Sequence, residues 1–172
     1  MKQLSLLIVL FFVCAFVQSQ YIERGFMKAG FHAGMPTSQS ADFSSFTFGF
    51  DFFQHYGISE EFDIGFATGF TNAFGKTEQV QVGDFSINGD FNNLQFIPAA
   101  ALLRYYPQRY LNIGADVGYA LALNQGLGGG LYYRPTINFD VTENTGFYVS
   151  YTNIELEELK WSTITGGLIF TF

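Results

Sequence analysis

From Phe46 to Phe52 every second residue is phenylalanine, and the residues between are Thr47, Gly49 and Asp51. Successive side chains of a β-strand point to opposite faces, so a repeat of two puts all four rings on one face. A helix, repeating every 3.6 residues, would scatter them around its circumference. The alternation therefore dictates a strand with one greasy face and one small or polar face.

The same repeat recurs along the chain. Phe62, Ile64, Phe66 and Phe70 alternate with Glu61, Asp63, Gly65, Ala67 and Gly69. Leu111, Ile113, Ala115, Val117, Tyr119 and Leu121 alternate with Asn112, Gly114, Asp116 and Gly118. Leu131, Tyr133, Ile137 and Phe139 alternate with Tyr132, Arg134, Thr136, Asn138 and Asp140. Phe147, Val149 and Tyr151 alternate with Tyr148, Ser150 and Thr152. Met27, Ala29, Phe31 and Ala33 alternate with Lys28, Gly30, His32 and Gly34, and Ile164, Leu168, Phe170 and Phe172 with Thr163, Thr165, Gly167 and Thr171. Residues 93–106 read as apolar on both faces. Eight strands follow, at 25–35, 43–54, 60–71, 93–106, 110–122, 130–141, 146–154 and 161–172. Most reach the ~9–11 residues a tilted strand needs to cross a bilayer.

The connections alternate as well. Tight turns at 55–59, 107–109 and 142–145 contrast with longer gaps at 36–42, 72–92, 123–129 and 155–160. Short turns at one rim and long loops at the other are the layout of an outer-membrane barrel. An even number of antiparallel strands closes without an unpaired edge in lipid.

Composition decides which face looks outward. Only 13% of the 172 residues are charged, and 22 are phenylalanine. A water-facing sheet would show many Lys, Glu and Thr. Here the polar face is rich in Gly and Ala, with Lys28, His32, Asp51, Glu61, Asp63, Arg104, Asp116, Arg134 and Asp140 as its ionisable groups. A narrow eight-stranded lumen needs small residues to fit and charges that pair across it. These nine are expected to form a lumenal hydrogen-bond and ion-pair network. Pro98 and Pro135 fall inside assigned strands, where each removes a ladder donor, so bulges or rim positions are expected there. Tyr105, Tyr106 and Tyr110 flank the turn at Pro107, and Tyr151 and Trp161 lie near the loop rim, as interfacial aromatics would.

The first residues read separately. After Lys2 an unbroken apolar run extends from Leu6 to Val17, and Val17-Gln18-Ser19 suits a cleavage site. Residues 1–19 are expected to be a secretory signal peptide, with 20–172 as the barrel domain. Removing 19 of the 172 residues would leave 153 and no cysteine, since Cys14 lies in the run. Thiol catalysis and Cys-based metal sites are thereby absent from the expected mature chain.

The chain ends Leu168-Ile169-Phe170-Thr171-Phe172, with Leu168, Phe170 and Phe172 on one face. This resembles the C-terminal signal of bacterial outer-membrane barrels, which the barrel-assembly machinery recognises. The chain as a whole resembles small eight-stranded barrels of the OmpA/OmpX kind, without a peptidoglycan-binding domain. Its Leu94 to Tyr106 segment is similar to that of outer-membrane β-barrel domain proteins of Bacteroidetes. The resemblance implies a monomer in the bacterial outer membrane, surrounded by lipid and lipopolysaccharide.

Little in the chain reads as chemistry. The net charge of −7 argues against nucleic acid as a partner. There is no HExxH, no GxSxG and no phosphate-binding loop, so no cofactor, metal or catalytic residue is assigned. Two other functions fit the pattern. A lipocalin-like soluble barrel would turn its Phe faces inward around a hydrophobic ligand. A lipid A-modifying enzyme would use His32 with Ser38, Ser40 and Asp42 of the following gap, if that loop folded back. Val80, Val82, Phe85 and Ile87 alternate with polar residues in the segment 72–92, which suggests an exposed hairpin and a contact surface for an extracellular protein. Glu155, Glu157 and Glu158 make the last gap acidic.

Overall fold

The computed structural model describes residues 25–172 apart from 83–84, 125–127 and 157–159, and only the backbone of 78–90. The expected signal peptide, Glu157 and Glu158 lie outside the described residues.

Among the described residues, ten strands and one helical turn, α1 (Ser40–Phe43), build the fold. Eight strands close a barrel: β1 (Gly25–Pro36), β2 (Ser44–Gly57), β3 (Phe62–Gly75), β6 (Leu94–Gln108), β7 (Leu111–Ala122), β8 (Gly129–Asp140), β9 (Thr145–Glu155) and β10 (Lys160–Thr171). All barrel pairings are antiparallel, and β1 against β10 closes the ring. The other two, β4 (Thr77–Val82) and β5 (Phe85–Asp90), form a two-stranded ribbon. The start of β1 meets Phe172 at the short-turn rim, where Met27 and Phe172 exchange backbone hydrogen bonds.

The alternation becomes the two surfaces of the wall. Phe46, Phe48, Phe50 and Phe52 are all exposed on the outside, while Thr47, Asp51 and Phe53 are buried inside. Cross-strand aromatic pairs thicken the outer coat: Phe50 with Phe70 at 5.8 Å, Phe62 with Tyr105 at 5.0 Å and Phe139 with Phe147 at 5.5 Å between centroids. The rings of these pairs are stacked or tilted, with 28–32° between their planes, where the ladder brings them together. A lipocalin-like arrangement would need these rings inside, so the fold does not support that alternative.

Residues 93–106 are apolar on both faces from Phe96 to Leu103, and the structure assigns each residue to its face. In β6, Leu94, Phe96, Ala100, Leu102 and Arg104 face inward and Ile97, Leu103 and Tyr105 outward. Several expectations need correcting. The strands β2 and β3 run to Gly57 and Gly75, further than the pattern suggested. His55 consequently lies buried near the end of β2 rather than in a turn. Pro98 and Pro135 occupy neither bulges nor rims. Pairing of β3 with β6 skips from Thr68↔Ala99 to Thr71↔Phe96 in unchanged register, and Thr68 Oγ1 donates to the Pro98 carbonyl at 2.8 Å. Pairing of β8 with β9 likewise skips from Tyr133↔Asn153 to Thr136↔Ser150. Each proline interrupts one ladder on one side, and the other ladder holds the strand in place.

Two features shape the long-loop rim. The segment 37–43 continues the pairing of β10 beyond the end of β1. Thr37 N–H donates to the Ser162 carbonyl, Ser162 N–H to Ser40 Oγ at 2.7 Å, and Ser40 Oγ to the Lys160 carbonyl. The same segment grips the ribbon base: Lys76 N–H donates to the Phe43 carbonyl and Lys76 Nζ to that of Ala41. The ribbon itself is β3 and β6 prolonged. Ala73↔Leu94, the Phe91-to-Lys76 backbone bond and Thr77↔Asp90 fall in one register. The hairpin expected within 72–92 is therefore present as an extension of the wall.

If the outer coat faces hydrocarbon, Phe50→Arg should destabilise the barrel in lipid vesicles by about 2–4 kcal/mol, the cost of a cation at the lipid midplane. Glu61→Arg, in an exposed turn, should change the urea midpoint little.

Candidate functional site: the lumen

The interior is filled in layers. Toward the long-loop rim it is apolar, with Leu94, Phe96, Ile154, Leu156 and Trp161 buried together, and Trp161 packed on Phe96 at 5.0 Å between ring centroids. Trp161 was expected among the interfacial aromatics. It is fully buried because its position shares the inward parity of Thr163 and Thr165. Below it lies a belt of hydroxyls: Thr47 with Thr163 at 3.3 Å and Ser150 with Thr165 at 2.7 Å.

The centre is ionic. Asp51 is the hub, accepting from Arg134 Nη1 at 2.7 Å, from the Tyr148 hydroxyl and from His32 Nδ1 at 2.8 Å. Arg134 then reaches across to Asp116 through Nε at 2.9 Å and Nη2 at 2.8 Å. The other Asp116 oxygen meets Arg104 Nη2 at 2.6 Å. Arg104 Nη1 also donates to the Leu103 and Ala115 carbonyls. His32 Nε2 lies 3.1 Å from the Thr71 hydroxyl. A ring donating from Nδ1 to Asp51 and accepting from Thr71 at Nε2 satisfies both contacts. Two guanidinium groups then balance two carboxylates in a space closed to water.

Buried ions of this kind are tolerable only when each finds a partner and its remaining hydrogen-bonding capacity is met. Here the aromatic rings help. Arg134 lies 5.1 Å and Arg104 5.7 Å from the centroid of Phe53, which sits between the two cations. The members come from seven strands: His32 on β1, Asp51 on β2, Thr71 on β3, Arg104 on β6, Asp116 on β7, Arg134 on β8 and Tyr148 on β9. The eighth strand, β10, contributes an absence of bulk. A Cβ on Gly167 would stand 2.5 Å from a Tyr148 ring carbon, and one on Gly49 2.6 Å from His32 Nε2. Glycine at these positions is what lets a ring lie flat against the wall.

The short-turn end holds a second set. Lys28 pairs with Asp140 at 3.0 Å, His55 Nδ1 lies 3.4 Å from Asp63, and Asn138 donates to Asn112 at 2.7 Å. The His55 ring stacks on Phe26 at 4.6 Å.

Eight of the nine ionisable residues expected in the lumen are thus inside. Glu61 is not. The chain turns at 58–61, Ser59 Oγ accepts from Phe62 N–H, and the side chain of Glu61 is exposed. Parity predicts a face only while the strand lasts. Tyr148, Asn112 and Asn138 enter the lumen from the polar face that alternation gives them, and His55, Thr71 and Phe53 are further lumenal residues. Inward parity with Asp51 was the available signal for Phe53 and His55. His32 and Ser40 are not brought together: His32 faces the lumen and is held by Asp51 and Thr71, while Ser40 is engaged with Lys160 and Ser162. Leu168, Phe170 and Phe172 all lie on the outer surface near the chain end. No cluster of His, Cys, Asp and Glu among the described residues is arranged to hold a metal ion.

No family model and no curated protein matches the chain. Solved structures do. The attachment invasion locus protein Ail of Yersinia pestis is 14% identical, with 86% of this chain and 97% of that chain covered and a TM-score of 0.54. The outer membrane protein OprG of Pseudomonas aeruginosa is 15% identical over 86% of this chain and 95% of its own, at 0.52. The N-terminal β-barrel domain of OprF from Pseudomonas aeruginosa is 14% identical over 87% and 100%, at 0.51. At such identities the likeness concerns the fold, and the fold is that of small eight-stranded outer-membrane barrels.

Removing the hub should cost more than any single contact. Asp51→Ala leaves Arg134 with one buried partner fewer, so stability should fall by about 3–5 kcal/mol. The single tryptophan, Trp161, reports unfolding by fluorescence during urea titration in vesicles.

Proposed function

We propose that this chain is an integral barrel of the bacterial outer membrane whose lumen is filled by its own side chains and whose task is carried by the loops it displays. The observation that carries the reading is the division of the wall: an outer face of exposed Phe, Leu, Ile and Val, and an inner face of paired ions and hydroxyls under an apolar cap. Soluble sheets do not leave such a continuous apolar coat uncovered. Lipid and lipopolysaccharide are the surroundings this coat suits. The C-terminal face of Leu168, Phe170 and Phe172 is proposed as the mark read by the barrel-assembly machinery. Eight strands barely enclose their own side chains, which favours a plug over a pore.

The displayed element is the ribbon β4–β5. Its strands continue β3 and β6 in register, so it stands on the wall as a stiff projection, steadied at its base by Phe43, Lys76 and Asn93. It is proposed to contact an extracellular protein. One solved neighbour bears the name attachment invasion locus protein, and an attachment role carried by the ribbon is proposed for this chain.

Fractionated cells should contain the protein in the outer membrane, and it should migrate differently on gels when unheated. Recovery from the soluble periplasm would defeat the reading. In planar bilayers the purified barrel should show no steady open channel. A stable conductance would show that the lumen is not a plug.

A further inference from the structure

At the short-turn end of the lumen lies a cavity of about 10 Å³, lined by Lys28, Phe53, His55, Arg104, Asn112 and Asn138. All five polar side chains around it are more than nine-tenths buried. By the same measure, one water needs roughly 10–15 Å³ and two to four polar partners.

The hydrogen-bond inventory of this end shows what would suit that space. The Lys28 ammonium has three donors, and among the described residues Asp140 takes one of them. The Asn112–Asn138 pair satisfies one amide N–H and one carbonyl with each other. That leaves the Asn138 carbonyl and the Asn112 amide nitrogen for a third group. The walls therefore offer both donors and an acceptor to an occupant of one-atom size. An isolated anion is poorly matched. The cations here already face carboxylates, Lys28 against Asp140 and Arg104 against Asp116, and the Asn138 carbonyl would oppose it. An apolar occupant would leave buried donors unmet.

We infer that this cavity is a binding site for one structural water, which joins the Lys28–Asp140 pair to the Asn112–Asn138 pair. It rests on the reading of the lumen as filled, and it adds that solvent completes the filling at this end. The opposite end is lined by Trp161, Phe96, Leu94 and Ile154, which are apolar apart from the Trp161 indole N–H.

The test is a high-resolution crystal structure of the full barrel, grown in chloride and then exchanged into bromide. The expected result is one ordered oxygen within hydrogen-bond distance of Lys28 Nζ and of an Asn112 or Asn138 amide atom, with no anomalous signal from bromide. An anomalous peak there would show an anion site and overturn the proposal, and so would a cavity without density. A continuous file of waters through the centre would instead defeat the filled-lumen reading, which keeps the two failures apart.

Discussion

Hydrocarbon offers no hydrogen bonds, and that constraint governs everything else in this molecule. Each backbone N–H and C=O at membrane depth must be paired within the protein, or several kcal/mol are lost per group. A sheet meets that demand only by closing on itself. Closure is why β1 must find β10 across most of the chain's length, and why two prolines inside strands are tolerated one ladder at a time. Where β10 outruns β1, a serine hydroxyl takes the place of the missing strand, with Ser40 bonding both Ser162 and Lys160.

Closure at eight strands then sets the interior problem. The lumen is too narrow to be wet throughout and too wide to be filled by aliphatics alone. The chain fills it with long polar side chains that cross the axis, Arg134 reaching both Asp51 and Asp116, and with rings that lie along the wall over Gly49 and Gly167. Removing either partner strands a charge, so the network specifies one arrangement of strands as much as it stabilises it. The layering also gives the interior a direction: hydroxyls and ions lie below an apolar layer at the loop side.

Much of this was legible in the residues, and the limits have physical causes. Parity states which face a side chain occupies, so eight lumenal ionisable residues and the outer phenylalanines could be named from alternation alone. It fails at strand ends, which is where Glu61 left the lumen. For His55 and Trp161 parity points inward, and both lie within strands that run on past the turn and the rim suggested by the spacing. Partner choice was not legible. Asp51 and Arg134 are 83 positions apart, and their meeting depends on strand order, tilt and which neighbours are glycine. The ribbon β4–β5 was visible as alternation beyond the wall, although its unbroken register with β3 and β6 appears only in the fold.

The central claim is that one face of every strand meets lipid and the other meets a packed interior. It is tested most directly by placing a spin label, one position at a time, at Phe46, Thr47, Phe48, Phe50, Phe52 and Phe53 in the barrel reconstituted in bilayers. The labels at Phe46, Phe48, Phe50 and Phe52 should collide readily with oxygen dissolved in lipid and should be mobile. Those at Thr47 and Phe53 should be immobilised and shielded from oxygen and from an aqueous nickel reagent. Collision with the aqueous reagent at the even positions, or no alternation, would contradict the account.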